Sequence, residues 1–134
     1  MSLGRAVAVL AVAVLASAPH ATTRVAPHSP GPDARARATA SIRAEFGARL
    51  TPCLLSVARR ETGGTFDPRA ANWADRHSDG SYGSFGLFQI GAIHRAPGET
   101  IMGFARRMFR LRENVAVAHR LYNRSGLRPW GGYC

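Results

Sequence analysis

Of the 134 residues, only eight have acidic side chains: Asp33, Glu45, Glu61, Asp67, Asp75, Asp79, Glu99 and Glu113. The histidines His20, His28, His77, His94 and His119 are scattered, and the two cysteines, Cys53 and Cys134, lie far apart. No Cys/His spacing suits zinc, no G-x-S-x-G elbow offers a nucleophilic serine, and no P-loop-type glycine run cradles phosphate. Neither a metal nor a cofactor is therefore expected. What remains is carboxylate chemistry. Cleavage of a glycosidic bond uses it, because a protonated carboxylic acid must stand beside the leaving oxygen. Glu61 is the best-placed acid, at the end of a helix and against the Gly63-Gly64 pair. A carboxylate at a helix C-terminus beside apolar neighbours is pushed toward its neutral form, which a general acid needs. Asp79, at the head of an Asp79-Gly80 turn, is the candidate second carboxylate. Each has a plainer reading: a helix-terminal Glu is usually solvated, and an Asp before Gly usually closes an Asx-turn.

The elements that must carry these groups are mostly helical. Thr51-Pro52 reads as an N-cap followed by proline at the first helical position. Leu54, Val57 and Ala58 give that helix an apolar face, and Gly63-Gly64 ends it. Upstream, residues 33 to 50 are Ala- and Arg-rich and read as helical through the Ile42, Phe46, Leu50 stripe, although the first half is weakly patterned. Residues 62 to 100 are rich in turn formers, with Ser81 to Ile90 expected as a short irregular β segment. Two helices follow, one carrying Ile101, Phe104, Met108 and Leu111, the other Val115, Ala118, Leu121 and Tyr122. The expected class is mainly α of the α+β kind: a helical lobe, a small irregular β or loop lobe, and a cleft between them.

The ends and the charge place the protein. Residues 1 to 18 read as a signal peptide: Arg5, then an apolar run from Ala6 to Leu15, then the cleavage pattern Ala16-Ser17-Ala18. The run is shorter than the ~20 residues that span a bilayer, so export and not a stable membrane anchor is expected. Residues 19 to 40 are assigned to a disordered leader or linker on their prolines and small polar residues, and 41 to 134 to one domain, expected as a monomer. In an oxidising compartment Cys53 and Cys134 are expected to form a disulfide, the alternative being two unpaired buried thiols. Formal net charge is +10, and all 18 basic residues are arginine. Such a surface favours polyanions, and for an exported protein anionic cell-wall polymers fit better than nucleic acid, for which no motif is present. Arg106, Arg107, Arg110 and Arg112 read most simply as a solvated basic face.

Two runs bear a family resemblance. Glu61-Thr62-Gly63-Gly64-Thr65-Phe66-Asp67-Pro68-Arg69-Ala70-Ala71-Asn72, followed by Asp79-Gly80-Ser81-Tyr82-Gly83-Ser84-Phe85-Gly86-Leu87-Phe88-Gln89-Ile90, resembles the lysozyme-like superfamily. The branch it looks like is the soluble-type lytic transglycosylases, with the pattern E-S-G-x-F-x-P-x-A-x-N and then D-G-S-x-x-x-G-L-x-Q-I-N. Asn114-Val115, and Leu121-Tyr122 through Gly126, Pro129 and Trp130, resemble the family's closing elements. The likeness covers about residues 50 to 134. Thr62 stands where the family has Ser, Gly91 where it has Asn, Phe88 where many members have Met, and residues 73 to 78 form an insert.

The resemblance implies a peptidoglycan substrate, cut between N-acetylmuramic acid and N-acetylglucosamine. Glu61 would protonate the leaving oxygen and then, ionised, accept the proton of the muramoyl C6 hydroxyl as an anhydro ring closes. The alternatives are a hydrolytic lysozyme using Glu61 with Asp79, and a weakly catalytic wall-binding module. Gln89, Tyr82, Phe88, Asn114, Tyr122 and Trp130 are the substrate-binding candidates. Each has a structural rival: Gln89 could instead pin its own β segment, Tyr82 and Phe88 could serve packing, Asn114 capping, Tyr122 the core, and Trp130 packing under the Cys134 bridge.

Overall fold

A computed structural model describes residues 33–134. The signal-peptide assignment and most of the leader lie outside the described residues. The order is α1 (Asp33–Phe46), α2 (Thr51–Glu61), β1 (Ala71–Arg76), β2 (Tyr82–Phe85), β3 (Ile90–Gly91), α3 (Ile101–Met108) and α4 (Leu111–Ser125). Short 3-10 turns lie at Ala92–His94 and Arg128–Trp130. The architecture is mainly α, with a small three-stranded antiparallel sheet in the order β1-β2-β3. Among the described residues no helix is long and apolar enough to cross a membrane.

The first helix begins earlier than its pattern advertises. Residues 33–40, assigned above to the leader, form the first half of α1. Ala34, Ala38, Ile42 and Phe46 are its buried stripe, at four-residue spacing. Two of the four are alanines, which pack well but barely mark a sequence as amphipathic. Gly47 then turns the chain with a φ of 81°, so the helix stops short of Leu50.

The start of α2 also corrects an expectation. Thr51 accepts no capping bond; its hydroxyl donates to the Gly47 carbonyl at 2.8 Å, and Leu50 stands at the N-cap without a side-chain bond. The far end behaves as read. Gly63 donates to the Arg60 carbonyl at 3.3 Å and Gly64 to that of Arg59 at 2.6 Å, the paired bonds of a Schellman stop, with Gly63 at a φ of 60°. In the C-terminal half, Thr100 caps α3 by accepting from the Gly103 amide at 3.0 Å. Leu111, grouped above with α3, is instead the first residue of α4.

The sheet is larger than the single β segment expected, because β1 spans six residues that are nearly all exposed. On it, the step from Asn72 to Arg76 faces only the step from Ser84 to Tyr82 on β2, so two residues are extra and β1 bulges between those pairings. The bulge carries Trp73, Ala74 and Asp75.

The core joins both parts. Phe85, Leu87, Phe88, Phe104, Met108, Leu54 and Val57 are fully buried. The C-terminal loop is fastened over α2 by the Cys53–Cys134 disulfide and by Ser56 Oγ donating to the Cys134 carbonyl at 2.9 Å. The crosslink joins residues 81 apart in sequence. Removing it with Cys53→Ala and Cys134→Ala should cost roughly 4 kcal/mol by the chain-entropy relation. Denaturant unfolding of the double variant against the oxidised protein measures this.

Candidate active site

Glu61 is the last residue of α2, and its side chain is 25% exposed. It faces a cleft of about 660 Å³. Arg60 and Thr62 flank it; Ala71, Asn72 and Asp75 come from β1, Ser84 from β2, Gln89 from the turn before β3, and Pro129 and Trp130 from the C-terminal loop. Burial raises the Glu61 carboxyl above its ordinary value of 4.5, and the charge of Arg60 opposes that rise. The opposition is the smaller of the two effects, and Arg60 also has partners elsewhere. Its Nη2 donates to the Trp130 carbonyl at 2.7 Å and its guanidinium lies 4.6 Å from the Tyr133 ring centre, while its Nε sits 3.7 Å from Glu61 Oε1.

Thr62 accounts for itself locally. Its buried hydroxyl donates to the Ala58 carbonyl at 2.8 Å and accepts from the Phe66 amide at 2.9 Å. This ties the helix end to Phe66, whose φ of 54° is unusual for a bulky side chain.

Ser84 and Gln89 line the cleft on either side of the buried segment Phe85 to Phe88. Asn114, fully buried on α4, accepts from the Phe88 amide at 2.9 Å and donates from Nδ2 to the Phe85 carbonyl at 2.9 Å. Gly86 packs against this amide and the Met108 carbonyl so closely that a Cβ would collide with both, and its φ is 80°. Trp130 closes the arrangement from the other side, its indole N–H donating to the Phe88 carbonyl at 2.9 Å. Gln89 holds a φ of 46° and donates from Nε2 to the carbonyls of Ala70 at 3.1 Å and Gly86 at 3.0 Å. Its amide hydrogens are thereby spent, and Oε1 has no hydrogen-bond partner among the described residues.

The sequence candidates therefore divide. Glu61, Gln89 and Trp130 meet at the cleft. Asn114 does not line it but bonds the buried segment between its lining residues Ser84 and Gln89. Phe88 is a core residue with no exposed surface, its ring 5.6 Å from that of Trp130 and 6.2 Å from that of Phe46. Tyr122 packs edge-on against Phe46 at 5.8 Å, away from the cleft lining. Tyr82 is exposed under the Arg76 guanidinium, 5.4 Å from its ring centre, and also lies outside the lining.

Asp79 is not the second carboxylate of this cleft. It closes an Asx-turn by accepting from the Ser81 amide at 2.9 Å and meets Arg95 at 3.2 Å. The Ser81 hydrogen bonds hold its carboxyl below the ordinary value. The carboxylate that does share the cleft with Glu61 is Asp75, carried there by the β1 bulge and accepting a hydrogen bond from the Ser84 hydroxyl. The bulge that aims it left no mark in the sequence pattern.

The Gly91 departure has a steric cause. The ring of His77, itself bonded through Nε2 to the Gly83 carbonyl at 3.0 Å, occupies the space into which a Cβ at position 91 would project. His77 and the absence of a side chain at position 91 are two halves of one packing solution.

The chain matches no protein-family model, no curated protein and no solved structure. The geometry of the cleft therefore carries the functional reading beside the motif likeness.

A carboxyl raised by burial favours the folded state while it is neutral. Its contribution is fully present below the unfolded value near 4.5 and is lost as pH rises through the higher folded value. Glu61→Gln, which cannot ionise, should therefore match the wild type in thermal unfolding at pH 4 and equal or exceed it at pH 7. A variant markedly less stable at pH 7 would mean that the charge is stabilised in place.

Proposed function

We propose that this protein cleaves the glycan strands of peptidoglycan between N-acetylmuramic acid and N-acetylglucosamine, with Glu61 as the catalytic acid. One observation carries the reading: among the described residues, the one half-buried carboxyl that burial raises lies in a cleft whose other walls are Gln89, Trp130 and the bulged strand. The resemblance of residues 61–90 and 114–130 to the lysozyme-like superfamily and its soluble lytic transglycosylases supports the substrate class.

In this mechanism neutral Glu61 gives its proton to the bridging oxygen as the bond to the muramoyl anomeric carbon breaks. The leaving glycan departs with a new hydroxyl. The Glu61 carboxylate then removes the proton of the muramoyl C6 hydroxyl, whose oxygen bonds to the anomeric carbon and closes a 1,6-anhydro ring. Glu61 is protonated again, and no water is consumed. The free Oε1 of Gln89 is an acceptor for an N-acetyl N–H in the same cleft. The disulfide and the N-terminal signal pattern support an exported enzyme acting at the cell wall.

A second reading has a specific observation behind it. With Asp75 beside the same cleft, a water or the Asp75 carboxylate could take the place of the C6 hydroxyl, as in hydrolytic lysozymes with paired carboxylates. Mass analysis of digested peptidoglycan separates the two, since anhydro ends are one water lighter than reducing ends. Transglycosylation predicts anhydro products, loss of about 10³-fold or more in rate for Glu61→Gln, and modest effects for Asp75→Asn and Asp79→Asn. Reducing ends together with a severe Asp75→Asn defect would establish hydrolysis. Binding of wall glycan with no cleavage would leave a binding module and overturn the enzymatic reading.

A further inference from the structure

A second groove, of about 480 Å³, lies between α1 and α2. Arg35 and Arg43 from α1 and Arg59 from α2 border it, above a floor that includes Pro52, Leu55 and Phe66. Arg59 and Glu61 are two positions apart, a rotation of about 200° on a helix. The groove and the catalytic cleft therefore flank opposite sides of α2.

The groove is lined by three cations and no acid. None of Arg35, Arg43 and Arg59 pairs with a carboxylate among the described residues, where the ion pairs involve other arginines and His119. The hydroxyls on this face are already committed as donors: Thr39 to the Arg35 carbonyl at 2.8 Å, Thr51 to that of Gly47 at 2.8 Å, and Ser56 to that of Cys134 at 2.9 Å. The free hydrogen-bonding capacity is thus guanidinium N–H, which selects an oxyanion. Arg35 is steadied by its guanidinium lying 5.9 Å from the Phe66 ring centre. Arg35, Thr39 and Arg43 follow at four-residue spacing on one face, so the two guanidiniums are rooted about 12 Å apart along the helix. One phosphate would meet both only if the two side chains folded toward each other. A chain carrying several reaches both, and its carbon segments would rest on the apolar floor.

We propose that the α1–α2 groove binds a flexible linear phosphodiester polymer of the poly(glycerol phosphate) type. A protein bound there would present its catalytic cleft on the opposite side of α2, toward glycan lying beside the polymer. Binding does not depend on the cleavage reaction, so the two fail separately.

The test is titration calorimetry of the disulfide-intact protein with a poly(glycerol phosphate) oligomer. Comparison ligands are inorganic phosphate, a polyglutamate and a short DNA duplex, the last two of matching charge. The groove variant is R35Q/R43Q/R59Q, and a control of equal charge change is R106Q/R110Q/R112Q. The oligomer should bind the wild type, and the groove variant should weaken it roughly tenfold or more and flatten the log-affinity salt slope by about 2. The control should change affinity by no more than about threefold, the share expected from screened long-range charge. Should the triple variant unfold, Arg43→Glu alone is expected to give the same direction of loss. Equal weakening in both triples, phosphate binding as tightly as the oligomer, or preference for polyglutamate or duplex DNA would each overturn the proposal.

Discussion

A carboxyl group held partly out of water at the C-terminal end of a helix is the constraint around which this domain is arranged. Two forces disfavour its charge, loss of hydration and the negative end of the helix dipole. One adjacent arginine would undo both if it were free to close on Glu61. Arg60 stands 3.7 Å from Glu61 through Nε, but its Nη2 is bonded to the Trp130 carbonyl and its guanidinium lies against the Tyr133 ring, and its charge lowers the carboxyl less than burial raises it. The loop that bonds Arg60 is itself secured by Cys53–Cys134 and by Ser56. The disulfide therefore also shapes the cleft, because it secures the C-terminal loop that supplies Trp130 to the lining and an acceptor to Arg60.

The opposite side of the cleft depends on a strained turn. A φ of 46° at Gln89 is a conformation that costs on the order of 1–3 kcal/mol for a residue with a side chain. It persists because Asn114, Trp130 and Gln89's own amide satisfy the backbone groups of the segment. The Asn114 and Trp130 bonds are buried, so losing either partner leaves a desolvated polar group behind. The result is a segment held in one conformation, with Gln89 among the residues that line the cleft beside Glu61. The same turn requires Gly86, since a side chain there would displace the Asn114 amide.

Much of this was legible in the residue pattern, and what was not has physical reasons. The helices α2, α3 and α4, the Gly63-Gly64 stop and the disulfide followed from apolar spacing, turn chemistry and compartment. Glu61 was legible because a helix end, apolar neighbours and glycines coincide at one acid. The start of α1 was obscured because alanine is a weak marker of a buried stripe. β1 was hidden because its residues are exposed on both faces and show no alternation. Asp75 was missed for the same reason, since only the irregular register against β2 turns it into the cleft. Asp79 drew attention by its turn motif, and it closes that turn and pairs with Arg95 outside the cleft lining. Phe88 and Tyr122 lay in motif positions yet pack in or against the core, because an aromatic at the right spacing satisfies either role. Gly91 needed His77, a contact across the hairpin that linear spacing does not display.

The central claim concerns the proton on Glu61, and it is best tested on the proton directly. Carbon-detected NMR of the side-chain carboxyl, assigned by its disappearance in Glu61→Gln, follows its titration in the free protein. The account predicts a midpoint above the ordinary glutamate value of 4.5, and a fall toward that value when Cys53→Ala and Cys134→Ala release the loop that holds Arg60. A midpoint at or below the ordinary value in the oxidised protein would contradict it.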